Sequence, residues 1–186
     1  MLSLMSTPVV VDAELAAFLE SQPVFFVATA PASLDGRINC SPKGNDASLR
    51  VTGNDRLAFV DYTGSGAETT AHLRENGRIT LMFASFSERP QIIRIYGIGT
   101  VHEVNTHGFA ELAHHFQNLH GARSIIEVEI SEARKSCGFG VPTANSLDTR
   151  TKMRDWLDAK GDEGLSSYRT RHNRVSIDGL PAFGPA

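Results

Sequence analysis

The feature that most constrains this chain is a succession of about seven short runs rich in β-branched and aromatic residues, joined by connections mostly too short for crossover helices. Residues 24–29 (VFFVAT) form the first. Asp35 and Gly36 then supply a turn, and residues 37–41 follow with Ile38 and Cys40 alternating with polar neighbours, so the pair reads as a β-hairpin. Residues 48–52 and 56–62 give two more runs about a turn at 53–55. Residues 78–85 and 91–104 are longer, and Gly97 or Gly99 marks a bulge or corner in the second. Residues 124–130 set Ile126, Val128 and Ile130 against Glu127 and Glu129, the pattern of a strand with one solvated face. Parallel pairing needs crossovers of roughly a dozen residues or more. The pattern therefore predicts a mainly β (α+β) fold, an antiparallel barrel with flanking helices.

Four helical stretches fit around these strands. Asp12 caps a short helix with Leu15, Phe18 and Leu19 on one face, stopped by Pro23, and a second helix over 67–76 closes at Gly77. Asn105 or Thr106 caps a third, whose Phe109, Leu112, Ala113, Phe116 and Leu119 share a face up to Gly121. The chain then becomes more polar, with helices expected at about 149–160 and 164–174. A length of 186 residues predicts one domain, residues 1–186, and 41% hydrophobic with 21% charged residues excludes disordered and fibrous classes. The formal charge of −3 argues against nucleic acid as a partner. Residues 1–8 lack a basic leader and no apolar run reaches the roughly 18 residues of a membrane span, so no membrane partner and a cytoplasmic location are expected. Cys40 and Cys137 show no metal or disulfide spacing and read as reduced thiols.

Three segments carry candidate chemistry. In Ser41-Pro42-Lys43-Gly44, Pro42 removes a ladder donor and restricts Ser41, so the strand is expected to end or leave its partner there and to expose Lys43 on a loop. Residues 63–70 (TGSGAETT) place glycines and hydroxyls before a helix, where free N–H groups favour a phosphate; a helix cap by Thr63 or Ser65 is the alternative, and Glu68 opposes an anion. Thr69 stands where a dinucleotide fingerprint needs glycine and no parallel βαβ unit follows, which weighs against a Rossmann reading of Gly64 and Gly66. Residues 137–142 (CGFGVP) form a rigid loop that turns a corner or lines a ligand, and no base stands beside Cys137 in sequence. The seven His, including His114 and His115, have no metal-ligand spacing, so no metal is expected, and no hydrolase elbow or carboxylate dyad is present.

The succession FFVAT (25–29), RINCSPKG (37–44), LAFVDYTGSG (57–66), AHLRENGRITLMF (71–83) and RIYGIG (94–99) resembles the pyridoxamine 5′-phosphate oxidase-related, FMN-binding split-barrel family over about residues 20–135. The tail of about 143–186, helical in expectation, looks like that of a bacterial branch apart from the vitamin B6 enzyme. The resemblance implies a six-stranded antiparallel split β-barrel and a homodimer with FMN between the subunits. By residue matching it puts Ser41 and Lys43 near the flavin ring or ribityl chain, and Tyr62, Thr63, Ser65, Gly66, Thr69 and Thr70 around the phosphate, with Arg94 as a compensating cation. Where the vitamin B6 oxidases carry adjacent Arg and Lys, this chain has Glu68, Thr69 and Thr70, and Arg171 and Arg174 stand in a different context from the substrate-contacting Arg. Pyridoxamine phosphate oxidation itself is thus not what the residues favour. The expected function is an FMN-dependent oxidoreductase of a small-molecule substrate, drawing on NADH or NADPH, with its catalytic residue unassigned. The alternative is a non-catalytic split-barrel protein that binds flavin, haem or another planar ligand, or has lost its cofactor. A deazaflavin-dependent reductase would need a more basic groove.

Overall fold

The computed structural model describes residues 10–44 and 48–184, so the leader reading of residues 1–8 lies outside it. The strands are β1 (Val24–Thr29), β2 (Asn39–Gly44), β3 (Leu49–Gly53), β4 (Arg56–Tyr62), β5 (Arg78–Ala84), β6 (Ile92–Glu103) and β7 (Ala122–Ser136). They form one curled, wholly antiparallel half-barrel in the order β2-β1-β5-β6-β7-β4-β3. In number the seven strands match the residue pattern and exceed by one the six that the resemblance implies. However, β2 continues through Pro42 to Gly44 in register with β1, so Lys43 stands on a paired strand and not on an exposed loop. β2 is an edge strand, where a proline's missing donor is tolerated.

Alternation decides what faces inward. Phe25 and Val27 of β1, Ile79, Leu81 and Phe83 of β5, and Ile93 and Ile95 of β6 meet Leu57 and Phe59 of β4 and Ile126, Val128 and Ile130 of β7 in one apolar core. Phe25 stacks on Phe83 with centroids 5.4 Å apart and meets Phe59 edge-on at 5.6 Å. The expected irregularity in β6 falls at Gly97, where the β6–β7 register shifts after Tyr96. A Cβ at Gly97 would lie 2.2 Å from the Glu129 carbonyl oxygen, so only glycine lets the strands approach there.

Among the described residues four helices flank the sheet: α1 (Ala13–Ser21), α2 (Glu68–Asn76), α3 (His107–Ala113) and α4 (Lys152–His172). The Asp12 carboxylate accepts from Leu15 N–H at 2.8 Å, and Gly77 closes α2 with φ 70°. Thr106, not Asn105, caps α3. This helix ends sooner than expected, because His115 and Phe116 bond three residues back and residues 114–120 turn toward Gly121. Phe109, Leu112, Phe116 and Leu119 still pack together on Ala58, Val60, Ala122 and Ile125, on the opposite face of the sheet from the main core. That cover explains why the first half of β7 is buried on both faces rather than one. The two expected polar helices meet as α4, broken at Gly161 (φ 60°, ψ 176°). Among the described residues no helix is long and apolar enough to cross a membrane.

Candidate functional site

At one end of the half-barrel the inner face turns polar. Asn39, Ser41 and Lys43 of β2 pair with Thr29, Val27 and Phe25 of β1, so they share the inward side with the core residues. In β4 the inward positions Leu57 and Phe59 continue to Asp61, which is fully buried. The register places Asp61 opposite Ser124 and Tyr62 opposite Ala122, leaving Arg123 as the extra residue of a bulge. A bulge re-aims its side chain, and Arg123 is buried against the same carboxylate.

These groups form a charge triad across the open side of the half-barrel. Lys43 Nζ donates to Asp61 Oδ1 at 2.9 Å and Arg123 Nε to Asp61 Oδ2 at 2.8 Å. Burial alone would raise the Asp61 pKa, but the two cations and their hydrogen bonds overcome it and lower the value to about 2. The carboxylate is therefore ionised at neutral pH and leaves one net positive charge between the three. Arg123 also donates to the Gly64 carbonyl at 3.3 Å and lies 4.8 Å over the Phe183 ring.

Lys43 and Arg123 of the triad border a cleft of about 270 Å³, lined also by Asn39, Ser41, Tyr62, Thr63, Gly66 and Thr69. It adjoins a groove of about 1090 Å³, sharing Pro42, Gly44, Ser48 and Met153 with it. Ser41, Lys43, Tyr62, Thr63, Gly66 and Thr69, named from sequence, thus border one space. Tyr62 borders it while its ring packs on the α3 side and its hydroxyl donates to the Asn118 carbonyl at 3.0 Å. Ser65 stands exposed on the loop before α2, and Thr70 is buried in the first turn of that helix. Arg94 is elsewhere. It pairs with Met82, which pairs with Phe26, on the outer face of the sheet, and its guanidinium donates to Ser136 Oγ at 3.1 Å.

The hydroxyls divide into occupied and unoccupied. Thr63 Oγ1 donates to the Gly121 carbonyl at 2.9 Å and accepts from Arg169 Nε at 2.8 Å, while Thr69 Oγ1 accepts from Asn39 Nδ2 at 3.0 Å. Neither Thr63 nor Ser65 caps α2, whose N-cap is Ala67 without a side-chain bond. Ser41 Oγ and Thr70 Oγ1 are buried with no partner among the described residues. Arg169, not Arg171 or Arg174, is the C-terminal arginine that turns inward; burial, then the neighbouring Arg123, holds its pKa below the usual arginine range. Asp61 was not singled out from sequence, although a carboxylate inside the apolar run 57–62 is a signal that could have found it. Arg123, Arg169 and Asn173 carry no such signal, because only the fold brings them to residues 61–65.

Comparison with known proteins agrees with this architecture. Residues 11–137 match the model of the family described as pyridoxamine 5′-phosphate oxidase. The pyridoxamine 5′-phosphate oxidase family protein ustO of Aspergillus flavus is 40% identical over 184 residues, 89% of this chain and 72% of that protein. Among solved structures, HupZ of Group A Streptococcus superposes with a TM-score of 0.51 at 17% identity, over 72% of this chain and 98% of its own, a likeness of fold. An FMN-binding protein of Syntrophomonas wolfei gives 0.49 at 15% identity, over 74% and 90%. With two thirds of its length matched by the family model and a relative at 40% identity, the chain belongs to the pyridoxamine 5′-phosphate oxidase family.

Proposed function

We propose that this protein is an FMN-binding oxidoreductase whose phosphate site is the cleft between β2, β4 and the start of α2, and which works as a homodimer on a small organic substrate. The observation that carries the reading is the convergence of Lys43, Arg123 and the unpartnered hydroxyl of Ser41 on a cleft beside the uncapped first turn of α2. Helix N-termini stabilise anions, and charge-assisted hydrogen bonds are roughly twice as strong as neutral ones. These residues fit a phosphate. The cleft of about 270 Å³ falls just short of the roughly 300–1,000 Å³ typical of small-molecule sites, and the adjoining groove lined by Phe25, Leu49 and Leu147 gives room for a planar ring.

Bound there, FMN would supply the two-electron redox chemistry. The chain's own part is to hold and orient it: Lys43 is fixed by Asp61 on the cleft wall, and Asn39 and Thr69 brace each other across its floor. The homodimer is supported by the outer sheet face, where Phe26, Met82, Tyr96 and the exposed Ile98 stand without a covering helix among the described elements. A second copy would cover that face and set Arg94 within the interface.

The reading is tested by the absorbance spectrum of the purified protein and by melting with added FMN. Flavin bands released on denaturation, or a rise in Tm with FMN that is lost in Lys43→Ala, support it; a colourless protein whose Tm FMN leaves unchanged contradicts it. If flavin binds, anaerobic reduction by NADH or NADPH separates an oxidoreductase from a carrier. The carrier reading, a split-barrel protein that binds its ligand without turnover, is favoured by one observation, the Glu68 carboxylate bordering the slot.

A further inference from the structure

The loop before α2 is shaped from behind by the C-terminal segment. Asn173, fully buried at the end of α4, donates from Nδ2 to the Gly64 carbonyl at 2.8 Å and to the Ser65 carbonyl at 3.4 Å. The peptides are trans, so each N–H points opposite to the carbonyl of its own plane. Holding the Gly64 and Ser65 carbonyls toward Asn173 therefore turns the N–H groups of Ser65 and Gly66 the other way. Neither amide has a hydrogen-bond partner among the described residues, and Gly64 and Gly66 both border the cleft.

Two further contacts act in the same sense. Arg169 bonds Thr63 Oγ1 and, from Nη2, the Ala122 carbonyl at 3.0 Å, which fixes the start of the loop. The Ile177 N–H donates to Glu68 Oε1 at 3.2 Å, while Glu68 Oε2 folds so near Gly66 that a Cβ there would meet it at 2.7 Å. The carboxylate that opposes an anion is thus tied to the tail. A buried hydroxyl in the first turn of α2, Thr70 Oγ1, is left without a partner in a residue only 1% exposed. Buried polar groups are seldom orphaned without a reason.

We infer that Asn173 is the positioning residue of an anion slot: its amide orients the 64–66 peptides so that their N–H groups face a bound phosphate, while the Ile177 amide restrains Glu68. The inference rests on the flavin reading for the identity of the anion, and goes beyond it by assigning the slot's construction to residues 169–177, outside the matched residues 11–137. The Ser65 and Gly66 amides supply the donors. Without Asn173 the Gly64 carbonyl keeps only the 3.3 Å bond from Arg123 and the Ser65 carbonyl loses the bond that orients it, so the peptides can turn carbonyl oxygens toward the phosphate.

The test compares FMN with riboflavin, which lacks the phosphate, on the full chain. The ratio of the two dissociation constants reads the phosphate slot alone, and a general loss of structure moves both together. In Asn173→Ala and Asn173→Asp the FMN preference should fall roughly tenfold to a hundredfold while riboflavin affinity holds, the scale of one or two charged hydrogen bonds. In Glu68→Gln the preference should rise. Equal weakening of both ligands, or an unchanged ratio in all three variants, overturns the assignment while leaving the flavin reading standing. If neither ligand binds the parent protein or any variant, both fall.

Discussion

The half-barrel and the C-terminal segment are held by different physics. Among the described residues the barrel buries sixteen apolar residues in its main cluster, thirteen from β1 and β3 to β7, with Leu19 of α1, Leu73 of α2 and Val11 ahead of α1. The segment from residue 143 onward buries few: Leu157 and Leu165 in α4, then Ala182 and Phe183, which join only Ala67 and Ala71 in a satellite cluster. Its other ties are polar and individual, running from Arg169 to Thr63, Asn173 to Gly64, Ile177 to Glu68 and Asp178 to Arg37. Area-driven burial is non-directional, whereas hydrogen bonds fix orientation. The barrel supplies stability, and the tail supplies the geometry of the loop at the cleft.

Perturbing each region should give effects of different size and kind. The largest is expected from Phe59→Ala, which empties a fully buried site beside Phe25 and should cost about 3–5 kcal/mol, read as a lower denaturant midpoint with cooperative unfolding retained. Next comes Asp61→Asn, at the polar end of the barrel where β2, β4 and β7 are tied together. It weakens the bonds to Lys43 and Arg123 and should cost about 2 kcal/mol. It should also change the acid limb. A carboxyl lowered from 3.8 to about 2 on folding contributes stability that is fully present above about pH 4 and lost as pH falls toward 2, so the variant's stability should vary less than the parent's across that window. A parent whose stability is flat from pH 4 to 2 would contradict the triad.

Smaller effects should stay local to the tail. Gly161 has φ 60° and ψ 176°, a region almost confined to glycine, so Gly161→Ala should cost about 1–2 kcal/mol, seen as faster amide exchange in α4 with the barrel's amides unchanged. The Arg37–Asp178 pair is smaller still. The Arg37 backbone N–H bond, with the guanidinium, holds the Asp178 carboxyl below its usual range, but Arg37 is two-thirds exposed. Arg37→Ala should leave the denaturant midpoint unmoved and speed exchange only near Ile177 and Asp178. If it lowers the midpoint of the whole chain, the tail is part of the barrel's cooperative unit and the contrast drawn above fails.

The same contrast explains what the sequence disclosed. Strand alternation such as Ile126, Val128 and Ile130, the Gly77 helix stop and the Gly97 bulge follow from local backbone and burial rules, and the fold shows each of them. The α3 stripe was also legible, although the periodicity continued past the point where the helix turns, because Phe116 and Leu119 reach the same apolar cluster from a non-helical backbone. Lys43 and the 63–70 loop could be singled out by residue type alone. Their partners could not. Arg123 meets Asp61 from 62 residues away and Asn173 meets Gly64 from 109, and no spacing rule links such positions. Arg94 misled for a related reason: one strand puts alternate residues on opposite faces, and register sets Arg94 with Phe26 and Met82 on the outer one.

The most direct test of the account is a crystal structure of the full chain with FMN. The account predicts the phosphate against the first turn of α2, within hydrogen-bond distance of the Ser65 and Gly66 amides and the Thr70 hydroxyl, with the ring extending past Ser41 and Lys43. Flavin bound instead in the groove between α1 and the Arg134 end of β7, with the α2 cleft holding only water, would contradict it.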